Sequence, residues 1–216
     1  MITDKNIIYE DDCLLVVDKP SGILTVPTPR KERHTLTNVL VLMVQQKEKG
    51  AGAYPCHRLD RETSGVIIYA KSKPIQERMM QQFKDGNVKK RYIAFVAGHL
   101  KKPAGMISFP LEGKKALTHY KLLQKRKGYS IIEVAPMTGR TNQIRIHFSM
   151  IGHPVIGEDK FAFRKDIAIK FRRVALHACM IGFRHPRTNE AMSFFSPLPD
   201  DMNKLAGWQI KEHMFH

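Results

Sequence analysis

The run Val66-Ile67-Ile68-Tyr69-Ala70 constrains this chain more than any other stretch, because it is continuously apolar and rich in β-branched residues. A half-exposed strand alternates apolar with polar residues, whereas an unbroken apolar run bounded by small residues reads as a strand buried on both faces. Immediately before it stands His57-Arg58-Leu59-Asp60-Arg61-Glu62-Thr63-Ser64-Gly65, which sets an acid inside a basic, small-residue loop. A buried strand holds such a loop rigidly, and loops on rigid scaffolds are where function concentrates. Asp60 is therefore the candidate catalytic residue. Arg58 and Arg61 flank it, and positive neighbours favour the ionised carboxylate, the form that acts as a nucleophile.

Elsewhere the apolar periodicity predicts a strand over residues 13–17, closed by the turn chemistry of Pro20-Ser21-Gly22. Leu36, Val39, Leu40, Met43 and Val44 lie at helical spacing, with Thr35 or Asn38 near the start and Gly50 beyond the end. A second helix is expected from Pro74 to Lys84, burying Ile75, Met79, Met80 and Phe83 and stopping at Gly86, with its methionines as core filler. Strands are expected over 92–96, 117–123 and 129–134, the last two joined as a hairpin across 125–128. Residues 139–150 read as a helix with Thr141 in its first turn, so that Thr141, Arg145 and Ser149 share one face. Strands over 175–183 and 191–195 and a polar last helix over 200–211 complete the reading. Strand runs mixed with few helices point to an α+β fold rather than a regular βαβ array. With no repeat, low-complexity tract or linker, one domain spanning residues 1–216 is expected.

Charge narrows the partner. With 36 Lys+Arg against 20 Asp+Glu, the net charge of +16 and a pI near 9.9 point to a polyanion. The cations fall in short dispersed clusters at Lys89-Lys90-Arg91, Lys101-Lys102, Lys114-Lys115, Lys125-Arg126-Lys127, Arg164-Lys165 and residues 170–173, as on a folded basic face rather than a tail. Cys13, Cys56 and Cys179 are odd in number and far apart, which indicates neither a disulfide framework nor a structural zinc site and fits a reducing cytoplasm. Pro55-Cys56 begins like a zinc-deaminase motif, but Leu59 stands where its second cysteine would be. Residues 1–10 lack the pattern of a secretory signal, and no stretch is long enough to span a membrane.

The nine residues from His57 to Gly65 resemble the H-R-L-D-x-x-T-S-G signature of the RluA-type pseudouridine synthases, with only two positions free. Further motifs follow in that family's order. Val16-Val17-Asp18-Lys19-Pro20-Ser21-Gly22 resembles its K-P-x-G turn, and Lys90-Arg91-Tyr92-Ile93-Ala94 its K-x-Y-x-A strand. Gly139-Arg140-Thr141-Asn142-Gln143-Ile144-Arg145 resembles its G-R-T-H-Q-I-R segment, with Asn142 in place of the histidine. Leu176-His177-Ala178, Phe183 and His185-Pro186 resemble its closing pattern.

This resemblance implies a mixed, mainly antiparallel central sheet with flanking helices and a basic active-site cleft. It also implies conversion of uridine to pseudouridine in transfer RNA, large-subunit ribosomal RNA or both, with no cofactor or metal. Asp60 is then the catalytic acid, Tyr92 the stacking platform and proton carrier, and Arg145 the cation that partners Asp60. Arg58 helps occupy the space vacated by the flipped base, while Lys19, Arg61 and Arg140 contact RNA, and His147 supports the site. The first motif appears by residue 20, so the chain resembles short members without an N-terminal S4 domain. A monomer without an obligate protein partner is expected. The competing reading is a noncatalytic RNA-binding or RNA-folding protein on the same fold. A glycosidase is weaker, because it requires a second carboxylate and only Glu62 stands nearby in sequence.

Overall fold

A computed structural model of the chain describes residues 2–30, 32–47, 50–162 and 169–207. A short 3-10 turn at Asp4–Asn6 is followed in chain order by β1 (Ile7–Glu10), β2 (Leu14–Lys19), α1 (Leu36–Lys47), β3 (Tyr54–Pro55), β4 (Ser64–Ala70) and α2 (Lys73–Lys84). Then come β5 (Lys89–Ala97), β6 (Ala104–Ile107), β7 (Thr118–Arg126), β8 (Tyr129–Pro136), α3 (Gln143–Met150), β9 (Leu176–Arg184), β10 (Ala191–Phe195) and α4 (Asp200–Ala206). The fold is α+β with mainly antiparallel strands, and its residues cluster into two compact units. One comprises residues 1–89 and 180–197, the other residues 90–179 and 198–216.

In the first unit β4 pairs antiparallel with β2 along its length, Val17 opposite Ile67 and Lys19 opposite Gly65. Every residue of β4 is buried, as the unbroken apolar run predicts. Because side chains alternate across a strand, Val66, Ile68 and Ala70 face one core, which they share with Ile75 and Met79 of α2. Ile67 and Tyr69 face the other way, and the Tyr69 hydroxyl lies 3.1 Å from Thr37 of α1. Burial of each such aliphatic side chain contributes roughly 1.5–3 kcal/mol, so this strand anchors the loop that precedes it. β1 pairs with β2, β3 with β4, and β10 with the C-terminal half of β9.

The second unit is built on the antiparallel order β5, β8, β7, β6. β7 and β8 form the expected hairpin, closed tightly where Arg126 pairs with Tyr129 and Gly128 takes φ +81°. α3 packs on these two strands. α4 is fixed by Tyr129, whose hydroxyl donates to the Leu205 carbonyl (2.7 Å), and by a two-point pair between Arg173 and Asp201.

The elements depart from expectation in three places. α3 begins at Gln143 rather than at 139, because Asn142 sits in the left-handed region (φ +52°) and cannot belong to a helix. Thr141 therefore lies outside the helix and does not share a helical face with Arg145 and Ser149. The last helix buries Met202 and Ala206 and ends at Gly207 (φ +68°), with residues 208–211 of the expected span outside those described. β1, β3 and β6 were not foreseen, being two to four residues long and without clean alternation. Among the described residues no helix is long and apolar enough to cross a membrane.

Candidate active site

The loop carrying Asp60 is held through its main chain. Lys19 ends β2 wholly buried, and its ammonium donates to the carbonyls of Thr63 (2.7 Å), Pro20 (3.0 Å) and Arg61 (3.1 Å). Ser21 donates to the Glu62 carbonyl (2.8 Å), and the Gly22 N–H donates to Arg61 (2.8 Å). On the other side of the acid, the Thr25 hydroxyl donates to the Leu59 carbonyl (2.8 Å) and accepts from the Leu59 N–H (3.2 Å). Leu59 plugs the core at 4% exposure, and the Thr63 N–H closes a turn onto the Asp60 carbonyl (3.2 Å). His57 accepts the Ile68 N–H on Nε2 (3.1 Å), which orients the entry to the loop. The result presents a half-buried Asp60 between exposed Arg58 and Arg61.

Lys19 does not fill the role of a direct RNA contact expected for it. An ammonium has three N–H donors, and all three are directed at carbonyls inside the fold. Its work is to shape the Asp60 loop.

In the second unit, Arg145 projects from α3 and is 7% exposed. It grips Glu158 at two points, Nε to Oε2 (2.6 Å) and Nη2 to Oε1 (2.8 Å), and its Nη1 donates to Asn142 Oδ1 (2.9 Å). Glu158 also accepts the N–H groups of Lys160 (2.9 Å) and Phe161 (3.2 Å). Burial alone would raise the Glu158 carboxyl, but the hydrogen bonds from Arg145 and these amides outweigh it and hold the pKa below the usual carboxylate range. The Phe161 ring lies 5.2 Å from the Arg145 guanidinium. Asn142 thus takes both a backbone conformation that Asn tolerates and a hydrogen bond that orients Arg145.

The rest of the Gly139–His147 motif serves as a clamp. Gln143, 4% exposed, accepts from the Thr138 hydroxyl (2.6 Å) and the Arg140 N–H (3.0 Å) and donates to the Leu117 carbonyl (3.0 Å) and the Thr118 hydroxyl (2.9 Å). His147 is fully buried between Thr118 Oγ1 (3.0 Å) and the Phe109 carbonyl (2.9 Å), and desolvation pushes its pKa down despite the carbonyl. Arg140 is exposed, with Nε on the Lys115 carbonyl (3.1 Å). Tyr92 is half-buried on β5, opposite Val134. Lys90, two residues earlier on the same face, reaches the Thr138 carbonyl (3.3 Å), and burial lowers its pKa.

The basic clusters divide into engaged and exposed cations. Arg91 pairs with Glu133 (3.0 Å), Arg173 with Asp201, and Arg126 donates to the Ala206 carbonyl, so these serve the fold. Lys101, Lys102, Lys114, Lys115, Lys125 and Lys127 are exposed. Arg164-Lys165 lies outside the described residues.

Glu158 and Gln143 were not singled out from sequence. A trace of Glu158 was there, an acid directly after the apolar Val155-Ile156 and Gly157 in a chain short of acids. Gly157 (φ +80°) lies so close to the Arg173 carbonyl that a Cβ would stand 1.8 Å from its oxygen, which fixes the turn that delivers Glu158.

All three cysteines are free and buried, and burial raises their thiols, Cys56 to about 12. Asp11, Cys13 and His185 bring possible ligand atoms within 4.8 Å of one another, yet their chemistry does not suit a metal. His185 Nδ1 accepts the Thr188 N–H (3.0 Å), so Nε2 carries the ring proton toward Asp11 Oδ2 (3.0 Å). Asp11 Oδ1 accepts the N–H groups of Cys13 and Leu14 (both 2.7 Å), and Oδ2 accepts the Tyr9 hydroxyl (2.7 Å). A cation on Nε2 would have to displace that proton while Nδ1 still faced a donor.

The family model described as RNA pseudouridylate synthase matches residues 13–150. The chain belongs to the RNA pseudouridylate synthase family. An uncharacterised RNA pseudouridine synthase of Bacillus subtilis is 36% identical over 94% of this chain and 72% of its own length. Ribosomal large subunit pseudouridine synthase D of Zymomonas mobilis is 35% identical over 92% of this chain and 71% of its own. The dual-specificity RNA pseudouridine synthase of Pasteurella multocida is 36% identical over 89% and 92%. Among solved structures, human RNA pseudouridylate synthase domain containing 4 superposes with a TM-score of 0.79 at 22% identity, covering 92% of this chain and 90% of that one, which bears on the fold. Human domain containing 1 gives 0.70 at 27% identity, covering 90% and 83%. The enzyme class that follows from membership of the pseudouridylate synthases is an isomerase.

Proposed function

We propose that this enzyme converts specific uridines of structured RNA, in transfer RNA, large-subunit ribosomal RNA or both, to pseudouridine, with Asp60 as the nucleophile. The observation that carries the assignment is the Asp60 loop itself. Lys19, Ser21 and Thr25 bind loop carbonyls, so the backbone that presents the carboxylate is held in place by these three side chains. A carboxylate held in this way suits attack on an electron-poor carbon.

The target uridine leaves its stack to reach the acid, at a cost of a few kcal/mol that is least in single-stranded loops. Asp60 attacks the ribose or the base, and the bond between C1′ and N1 breaks. The uracil rotates, C5 bonds to C1′, and the C5 proton departs while N1 gains one. Atoms and electrons balance within the nucleotide, so no redox cofactor enters. Tyr92 stacks on the displaced base and carries the proton near C5. Arg145 is the catalytic cation of this reading, and its grip by Glu158 and Asn142 keeps it in one orientation. Arg58 helps occupy the space that the base leaves, and Arg61 and Arg140 hold phosphates. The relatives named for ribosomal RNA and for dual specificity support this substrate class. The enzyme acts as a single catalytic domain, a monomer of the cytoplasm without a protein partner.

The test is pseudouridine mapping of transfer and ribosomal RNA from cells lacking the protein, re-supplied with wild type or Asp60→Asn. A site restored by wild type and not by the variant is the expected result. Equal restoration by both would overturn the nucleophile assignment. No change at any site would favour a noncatalytic RNA-binding protein.

A further inference from the structure

Two antiparallel strands can be joined by a two-residue turn, yet β6 and β7 are joined by residues 108–117. The extra length is rigidly built. Leu111 and Lys114 exchange both main-chain hydrogen bonds at 2.9 Å around Glu112 (φ +50°) and Gly113 (φ +71°), the paired positive φ angles of a type I′ turn. Leu111 and Ala116 are buried beneath it, at 7% and 0% exposure. The two ends are tied down by buried side chains, His147 on the Phe109 carbonyl and Gln143 on the Leu117 carbonyl. Arg140 adds a bond to the Lys115 carbonyl, and the Leu117 N–H donates to Thr138 (3.0 Å).

What this frame exposes differs from what it buries. The Phe109 ring is 47% exposed and is followed by Pro110, while Lys114, Lys115 and Arg140 point three cations outward against the single acid Glu112. An aromatic ring kept in water by a fixed loop gives up apolar burial, and a base-stacking surface recovers it. The surplus of cations beside the ring fits a strand that carries a phosphate with every base.

We propose that Phe109 is a stacking platform for a base of single-stranded RNA, with Lys114, Lys115 and Arg140 binding the adjoining phosphates. The proposal rests on the RNA-substrate reading above and extends it to a nucleotide other than the one that reacts. Because every base has a π face, the platform selects an unpaired strand rather than a sequence. His147 and Gln143 serve it as positioning residues, since they hold the loop and do not touch RNA. The loop that carries the ring is held before RNA arrives, so binding costs little backbone ordering.

The test measures binding in Asp60→Asn protein, so that the probe is not altered during the measurement. The probes are a short oligouridylate and an abasic strand of the same length. Phe109→Ala is expected to weaken oligouridylate binding by roughly 5- to 150-fold, the range for losing one aromatic stack, with abasic binding unchanged. Phe109→Trp is expected to keep the preference for bases. Lys114→Ala with Lys115→Ala should weaken both probes and flatten the salt dependence by about 1.4 in log–log slope. Unchanged oligouridylate affinity in Phe109→Ala, or an equal loss on the abasic strand, would overturn the platform. So would a wild-type dimer that becomes monomeric in Phe109→Ala, which would assign the ring to a second copy of the chain. Failure of the catalytic reading is read separately, from turnover by protein with Asp60 intact.

Discussion

The Asp60 loop and the Arg145 site are stabilised in opposite ways. The loop's main chain is fixed from outside, by Lys19, Ser21 and Thr25 reaching its carbonyls. Arg145 is fixed side chain to side chain, by Glu158 and Asn142, so its position depends on charge. The difference teaches that the backbone of the loop answers to three side chains that reach its carbonyls, whereas the orientation of the cation answers to a buried carboxylate.

The largest expected effect follows from that dependence. Glu158→Gln removes the carboxylate that grips the buried Arg145 guanidinium at two points and is expected to cost about 3–5 kcal/mol in denaturant unfolding, with Glu158→Asp recovering part of it. A loss below about 1 kcal/mol would mean that the pair does not hold the site.

Lys19→Met probes the other mode. It leaves three carbonyls without their donor, and a cost of about 2–3 kcal/mol is expected, with faster hydrogen exchange at Gly22 and Thr63. Exchange rates equal to wild type would show that the loop does not need its lysine.

Asn142→Ala removes one hydrogen bond to Arg145 and places a Cβ residue less tolerant of φ +52° at the start of α3, for about 1–2 kcal/mol. Asn142→Gly relieves the backbone part, so the difference between the two variants separates strain from the lost bond.

The smallest effect is expected in the pH dependence. Burial lowers the His147 pKa from its ordinary value of 6.5, so the unfolded chain takes up the proton more readily. Stability is then full above about pH 6.5 and declines as pH falls through that value. Glu158, lowered from 4.5, adds a loss of the same sign at lower pH. His147→Gln should flatten the first decline and leave the second, as followed by thermal unfolding across pH.

How much of this was legible in the chain depended on the distance over which each signal acts. The buried run over residues 66–70, the two helices at 36–47 and 73–84 and the 126–129 hairpin are local patterns, and the structure carries them with small shifts of boundary, although Met80, expected in the core, is exposed on the second helix. The start of α3 was not legible, because Gln143 folds back on Thr138 and Arg140 and keeps the chain before it out of the helix. Lys19 looked like a phosphate contact beside a turn, and its burial depends on carbonyls more than forty residues away in the chain. Glu158 was hidden for the same reason, thirteen residues beyond the arginine it grips.

The central claim is that Asp60 performs the chemistry, and release of tritium from RNA labelled at uracil C5 tests it most directly, since that hydrogen leaves only when C5 bonds to the sugar. With purified protein under single-turnover conditions, wild type should release tritium, and Asp60→Asn should fall by at least about a thousand-fold with its unfolding midpoint near that of wild type. Release by a folded Asp60→Asn at a rate close to wild type would contradict the account.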